Sequence, residues 1–135
     1  MTRREAKRLG NQCEHWKALL GMAGWNTELH VHESFELPAD LEGGIGRLEP
    51  DAAMACADIH VAEHAHNTCP TDTLVHELVH LVLTDMRCAN RRACEQLDNV
   101  AGDVLREVYI DAEERATVRL TRALLKLWRK DEADA

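Results

Sequence analysis

Two histidines and a glutamate within five residues, His76-Glu77-Leu78-Val79-His80, form the part of this sequence best equipped for chemistry. On a helix, positions four apart leave the same face one turn apart, so both imidazoles can close on one metal ion. Glu77 stands about 100° round from His76, close enough to hold a water on that ion without being a ligand. Leu74, Val75, Leu78, Val79, Leu81, Val82 and Leu83 make the helix apolar nearly all round, which predicts burial. Buried imidazoles and carboxylates each need a partner, or desolvation costs a few kcal/mol apiece, and a metal ion supplies all of them with one. The pattern predicts a zinc centre with Glu77 as general base, not a core helix that carries two histidines by chance.

A catalytic zinc site has three protein ligands and one position open to water. The extension H-E-x-x-H-x-x-G-x-x-H would supply the third, but Leu83 and Met86 occupy its later positions, which excludes it. The other common solution is a carboxylate from a following helix, and Glu107, Glu113 and Glu114, with Asp111 nearby, are the candidates. At about 100° per residue Glu107, Asp111, Glu114, Val118 and Leu125 share one stripe. That stripe lets Glu114 ligate while Asp111 or Glu107 holds a histidine's other nitrogen. Glu113 falls with Tyr109, Ala116, Leu120 and Leu124, nearer the centre of the apolar face, where a buried carboxylate needs a cation. Helical spacing alone leaves Glu113 and Glu114 both open.

The elements that must position these residues follow from periodicity and turn chemistry. Ala6, Leu9, Cys13, Trp16, Leu19 and Leu20 recur at helical spacing, which predicts an N-terminal helix over 2–22, ended by Gly21 and Gly24. Residues 25–32 alternate, with Leu29 and Val31 on one face and His30 and His32 on the other. Those two histidines could clip a metal, but the sequence fixes no third donor beside them, so they read as the wet face of a strand. Pro38, Gly43, Gly44 and Gly46 mark 37–50 as a loop, and 52–61 reads as a second strand, the candidate edge for pairing with a substrate backbone. His60, His64, His66 and Cys69 match no zinc-ribbon or finger spacing and read as a polar loop. Pro70 opens the active helix over 70–86, with Thr71 or Thr73 as its cap and 87–92 as connection. Residues 93–128 are helical in pattern. A straight helix of that length would span about 54 Å, against a diameter near ~36 Å for a compact chain of this size. A break is therefore expected at 99–102, with a second piece over 103–128 and a frayed tail beyond it.

These elements predict a single α+β domain over 1–135: N-terminal helix (1–24), a sheet of two to four strands with loops (25–69), a zincin-type active-site helix (70–86) and a C-terminal helix pair carrying a ligand (92–128). The net charge of −8 argues against a general nucleic-acid or anionic-membrane surface, despite the basic runs Arg3–Arg8 and Arg115–Lys130. No apolar run reaches the ~20 residues of a membrane span, and the start carries no secretory signal pattern. Five cysteines at irregular spacing, with no C-x-x-C pair, fit free thiols in a reducing cytoplasm.

The chain resembles the short gluzincin-like metallopeptidases of phages and bacteria, related to the ImmA/IrrE and SprT-like families. The resemblance rests on Trp25 before a strand, a Gly-containing loop, Ala57-Asp58-Ile59-His60-Val61, Thr73-Leu74-Val75-His76-Glu77-Leu78-Val79-His80-Leu81 and the helix from Glu113 to Leu125. Against the family pattern E-x-x-A-x-x-F-A-x-x-L-L, Glu114 takes the ligand position, followed in register by Thr117, Leu120, Thr121, Leu124 and Leu125. Thr121 stands where that pattern has Ala. Neither the helix-turn-helix nor the Cys-rich ribbon that accompanies such cores is present, so no nucleic-acid partner is expected. The resemblance implies a zinc-dependent endopeptidase acting on a protein or peptide, with one Zn2+ held by His76, His80 and Glu114. Glu77 would take a proton from the zinc-bound water and deliver it to the leaving amine. His60, His64, His66 and Tyr109 are the candidates to stabilise the oxyanion. The alternative is a catalytically inactive, zinc-stabilised protein that works by binding a partner.

Overall fold

The N-terminal amphipathic stretch folds as α1 (Arg3–Leu19), begun by a reciprocal cap: the Thr2 hydroxyl accepts the Glu5 N–H and the Glu5 carboxylate accepts the Thr2 N–H. Leu9, Cys13 and Trp16, one or two turns apart, form its buried stripe, and Gly21 turns the chain away at φ +73°. Leu19, expected on that stripe, points to solvent. The computed structural model describes residues 1–33, 46–63 and 69–134. Of the loop expected over 37–50, residues 37–45 lie outside them, as do the histidines at 64 and 66.

Among the described residues three strands follow: β1 (Asn26–His32), β2 (Gly46–Asp51) and β3 (Cys56–Ala62), in the order β1-β3-β2. β1 runs parallel to β3, and β2 antiparallel to it. β3 alternates Ala57, Ile59 and Val61 into the core, where they meet Leu74, Val75, Leu78 and Leu81. Two expectations for this region change. The strand begins at Cys56, because 52–55 is the turn joining it to β2, with the Met54 N–H held by the Asp51 carboxylate. And β3 is the central strand, hydrogen-bonded on both sides, so it offers no edge to a substrate; β2, in the stretch read as loop, is the edge strand packed beside the helix that follows. Pro50 is compatible with that position, since an edge strand can spare an N–H.

α2 (Pro70–Val82) starts with Pro70 in its first turn after Cys69, so Thr71 and Thr73 lie inside the helix and not at its cap. It ends four residues before the expected boundary. Leu83 leaves helical geometry at ψ 2°, the Thr84 hydroxyl donates to the His80 carbonyl, and α3 (Thr84–Glu95) sets off at once through residues read as connection. α4 (Asn99–Asp134) then runs unbroken for 36 residues. The expected break at 99–102 falls earlier, at 96–98, where the Asp98 carboxylate caps the new helix by accepting the Ala101 N–H. Nor does the tail fray before Asp134. The size argument failed because α4 packs on one side only, against α3 near Gly102 and against α2 and α1 from Glu113 to Trp128, and leaves the other side in water: Val100, Val104 and Leu127 are each more than half exposed.

The architecture is thus α+β, with the sheet and α1 packed around α2, and α3 and α4 forming a C-terminal pair. Among the described residues no helix is long and apolar enough to cross a membrane. Gly102 sits where α4 crosses α3, and a Cβ there would stand 2.7 Å from the Cys94 carbonyl oxygen. Gly102→Ala should therefore lower stability by about 1–2 kcal/mol in urea unfolding, because the backbone clash outweighs the helix-propensity gain. A more stable variant would contradict this packing.

Candidate metal centre

α2 buries Leu74, Val75, Leu78, Val79 and Leu81, turns His76 and His80 toward Glu114 of α4 and sets Glu77 beside Gly46 of β2. The two helices pair antiparallel. Asp72 meets Arg129 at one end, and His80 meets Glu113 and Glu114 near the middle. Thr117 and Thr121 are the buried α4 residues at this crossing, small enough for the backbones to approach, while Leu120 is largely exposed.

Two consecutive glutamates take opposite sides of one imidazole. Glu114 lies 3.1 Å from His80 Nε2 through one oxygen and 3.2 Å from His76 Nε2 through the other. Glu113 lies 2.9 Å from His80 Nδ1, which donates to it. Glu113 is in turn gripped by Arg87, whose Nη2 and Nε donate to its two oxygens at 2.6 and 3.1 Å. With its Nδ1 proton committed to Glu113, His80 presents the Nε2 lone pair to the cleft. His76, His80 and Glu114 each bring one donor atom to within 4.8 Å of the others. Two imidazoles and one carboxylate converging from two rigid helices, with the carboxylate half exposed, match the donor set of a zinc site that keeps one position open. The residues therefore fit the ion.

Burial is the main force on the titrating groups. It pushes the Glu77 carboxyl up to about 7, the Glu114 charge adds to this, and Arg87 opposes it. It also lowers His76, aided by His80 and resisted by Glu114, which favours the neutral imidazole that a metal requires. Glu113 is buried too, which alone would raise it, but Arg87 and His80 hold it below the ordinary carboxylate range. It is an ionised group inside the protein, stabilised by two donors.

His76, Glu77, His80, Glu114 and Arg87, but not Glu113, line a cleft of about 580 Å³ with Gly46 and Leu48 of β2, Thr73, Val118, Thr121 and Leu125. Gly46 passes so close to α2 that a Cβ would stand 2.6 Å from the Thr73 methyl and 2.9 Å from Glu77 Oε1.

Of the residues singled out from sequence, His76, Glu77, His80 and Glu114 come together. Glu107 and Asp111 do not join them; both face solvent, and Glu113 occupies the place beside His80 expected of them. His60 belongs to the far face of the sheet, bonded to Glu49 and His32, so it cannot reach a substrate oxygen in the cleft. Tyr109 is directed at Glu113, and its phenol is raised by burial first and by the Glu113 charge second. Arg87 and Gly46 were missed. Arg87 lies on α3, past the end of α2 at Val82, so the stripe through His76 and His80 does not carry on to it and no local spacing marks it. No family model, curated protein or solved structure matches the chain.

The raised Glu77 carboxyl has a consequence for metal-free protein. The unfolded chain ionises it near its ordinary value of 4.5, the folded chain near 7, so the penalty is absent below 4.5, grows between, and is complete above 7. With chelator present, wild type should lose up to about 3 kcal/mol relative to Glu77→Gln between pH 4.5 and 8 in urea unfolding. Equal pH dependence of the two proteins would show that Glu77 is not buried as described.

Proposed function

We propose that this protein is a zinc-dependent metallopeptidase, with His76, His80 and Glu114 as ligands and Glu77 as general base. The observation that carries the reading is the position of Glu77. It is 6% exposed, borders the three-donor cluster, and its carboxyl is poised near neutrality, where a base can accept a proton and return it. A purely structural metal site would have no use for a buried carboxylate that does not ligate.

When bound, zinc supplies Lewis acidity, lowering the pKa of a water toward ~7 and polarising a carbonyl oxygen. Glu77 takes a proton from the attacking water and later gives it to the departing amine, so one group serves as base and then acid. Glu113 keeps His80 oriented and in the required tautomer, and Arg87 keeps Glu113 ionised. β2 lies along the cleft at Gly46 and Leu48, so an extended peptide backbone entering the cleft would run beside this strand. That geometry favours a protein or peptide as substrate, and the acidic net charge gives no support to a nucleic-acid partner.

The test compares wild type with Glu77→Gln on an unstructured protein such as casein. The variant should keep its fold and its zinc and lose at least ~10²-fold in hydrolysis. Chelation should abolish wild-type activity and added zinc restore it. Equal activity of the two proteins would contradict the mechanism, and zinc-loaded wild type that cuts nothing would favour the partner-binding alternative.

A further inference from the structure

The sheet has a second face, turned away from α1 and α2, and its side chains fall into rows set by strand register. Glu28, Asp58 and Glu49 stand side by side across β1, β3 and β2. In the next row stand His30, His60 and Arg47, with His32 beyond. Three carboxylates in one cross-strand row is an arrangement that sheets disfavour, since like charges directly opposite repel. The neighbouring row answers it in part. His30 Nε2 lies 3.0 Å from Asp58 and 3.9 Å from Glu28, His60 Nε2 lies 3.1 Å from Glu49, and Arg47 pairs with Glu49. The imidazoles are ordered by each other: the His30 and His60 rings stack 4.7 Å apart, and His60 Nδ1 lies 2.8 Å from His32 Nε2.

From sequence, His30 and His32 lacked a third donor. The fold provides it. Because β1 and β3 are parallel and in direct register, Asp58 comes beside His30, and Glu28, His30 and Asp58 each place a donor atom within 4.8 Å of the other two. We propose that these three residues form a second metal site, for a first-row divalent cation of which zinc is the representative. A cation there neutralises the carboxylate row, and the imidazole selects zinc, nickel or copper over calcium and magnesium. His60 holds the His30 ring in plane from the neighbouring strand. The site shares no donor with His76, His80 and Glu114, so it stands whether or not those residues bind zinc.

Zinc titration by calorimetry, on protein stripped of metal, tests this with His30→Asn, Asp58→Asn and Glu114→Gln beside wild type. Each of the first two should bind one zinc fewer than wild type, or bind it at least ~10-fold more weakly. Glu114→Gln should retain this equivalent, and a large excess of Mg2+ should not displace it. Both substituted side chains are partly exposed on the outer face, and circular dichroism will show which variants fold; if one does not, the other decides. Unchanged zinc binding in the folded outer-face variants would overturn the proposal.

Discussion

The contact on which the rest depends is the one that His80 makes with two adjacent glutamates. A helical residue and its successor point about 100° apart, so a single imidazole can meet both only if it enters the groove between them. That requires α4 to lie close against α2, and the small buried residues Thr117 and Thr121 make the approach possible. From this one crossing follow the different places of Glu113 and Glu114, one on each ring nitrogen of His80; the burial of Glu77 comes also from β2, which passes against it at Gly46. The bidentate grip of Arg87 matters for the same reason. A carboxylate whose side chain is only 2% exposed would otherwise be a costly charge inside the protein.

Much of the site was legible because it is local. The spacing of His76, Glu77 and His80 is fixed by helical geometry, and the apolar residues between them fix burial, so no tertiary knowledge is needed. Glu114 was different. Periodicity placed it on a stripe with Glu107 and Asp111 and could not rank it against Glu113, because the choice depends on where α4 crosses α2. Glu114 faces the two Nε2 atoms, and Glu113 is a buried carboxylate paired with Arg87 and the His80 N–H. The expectation that Asp111 or Glu107 would support a histidine failed because both lie on the solvent-facing side of α4.

The sheet shows the opposite case. The alternation in 25–32 gave the two faces of β1 correctly, but strand order is a long-range property. The short segment Gly46–Asp51, with Gly at its start and Pro within it, gave too weak a strand signal to be read as the edge. Without strand order neither the edge beside the cleft nor the carboxylate row on the outer face can be seen. The helix boundaries erred for a related reason. A size limit on α4 assumes a compact globule, whereas this helix packs along one side from Gly102 to Trp128 and is capped by Asp98 outside the expected break.

The central claim is that Glu114, and not Glu113, completes a three-ligand metal centre with His76 and His80. Its most direct test is zinc content by elemental analysis after dialysis, in a His30→Asn background so that the outer sheet face adds nothing. The account predicts about one zinc per chain in that background, lost with Glu114→Gln and retained, though more weakly, with Glu113→Gln. Zinc lost with Glu113→Gln and kept with Glu114→Gln, or no zinc in folded parent protein even after adding it back, would contradict it.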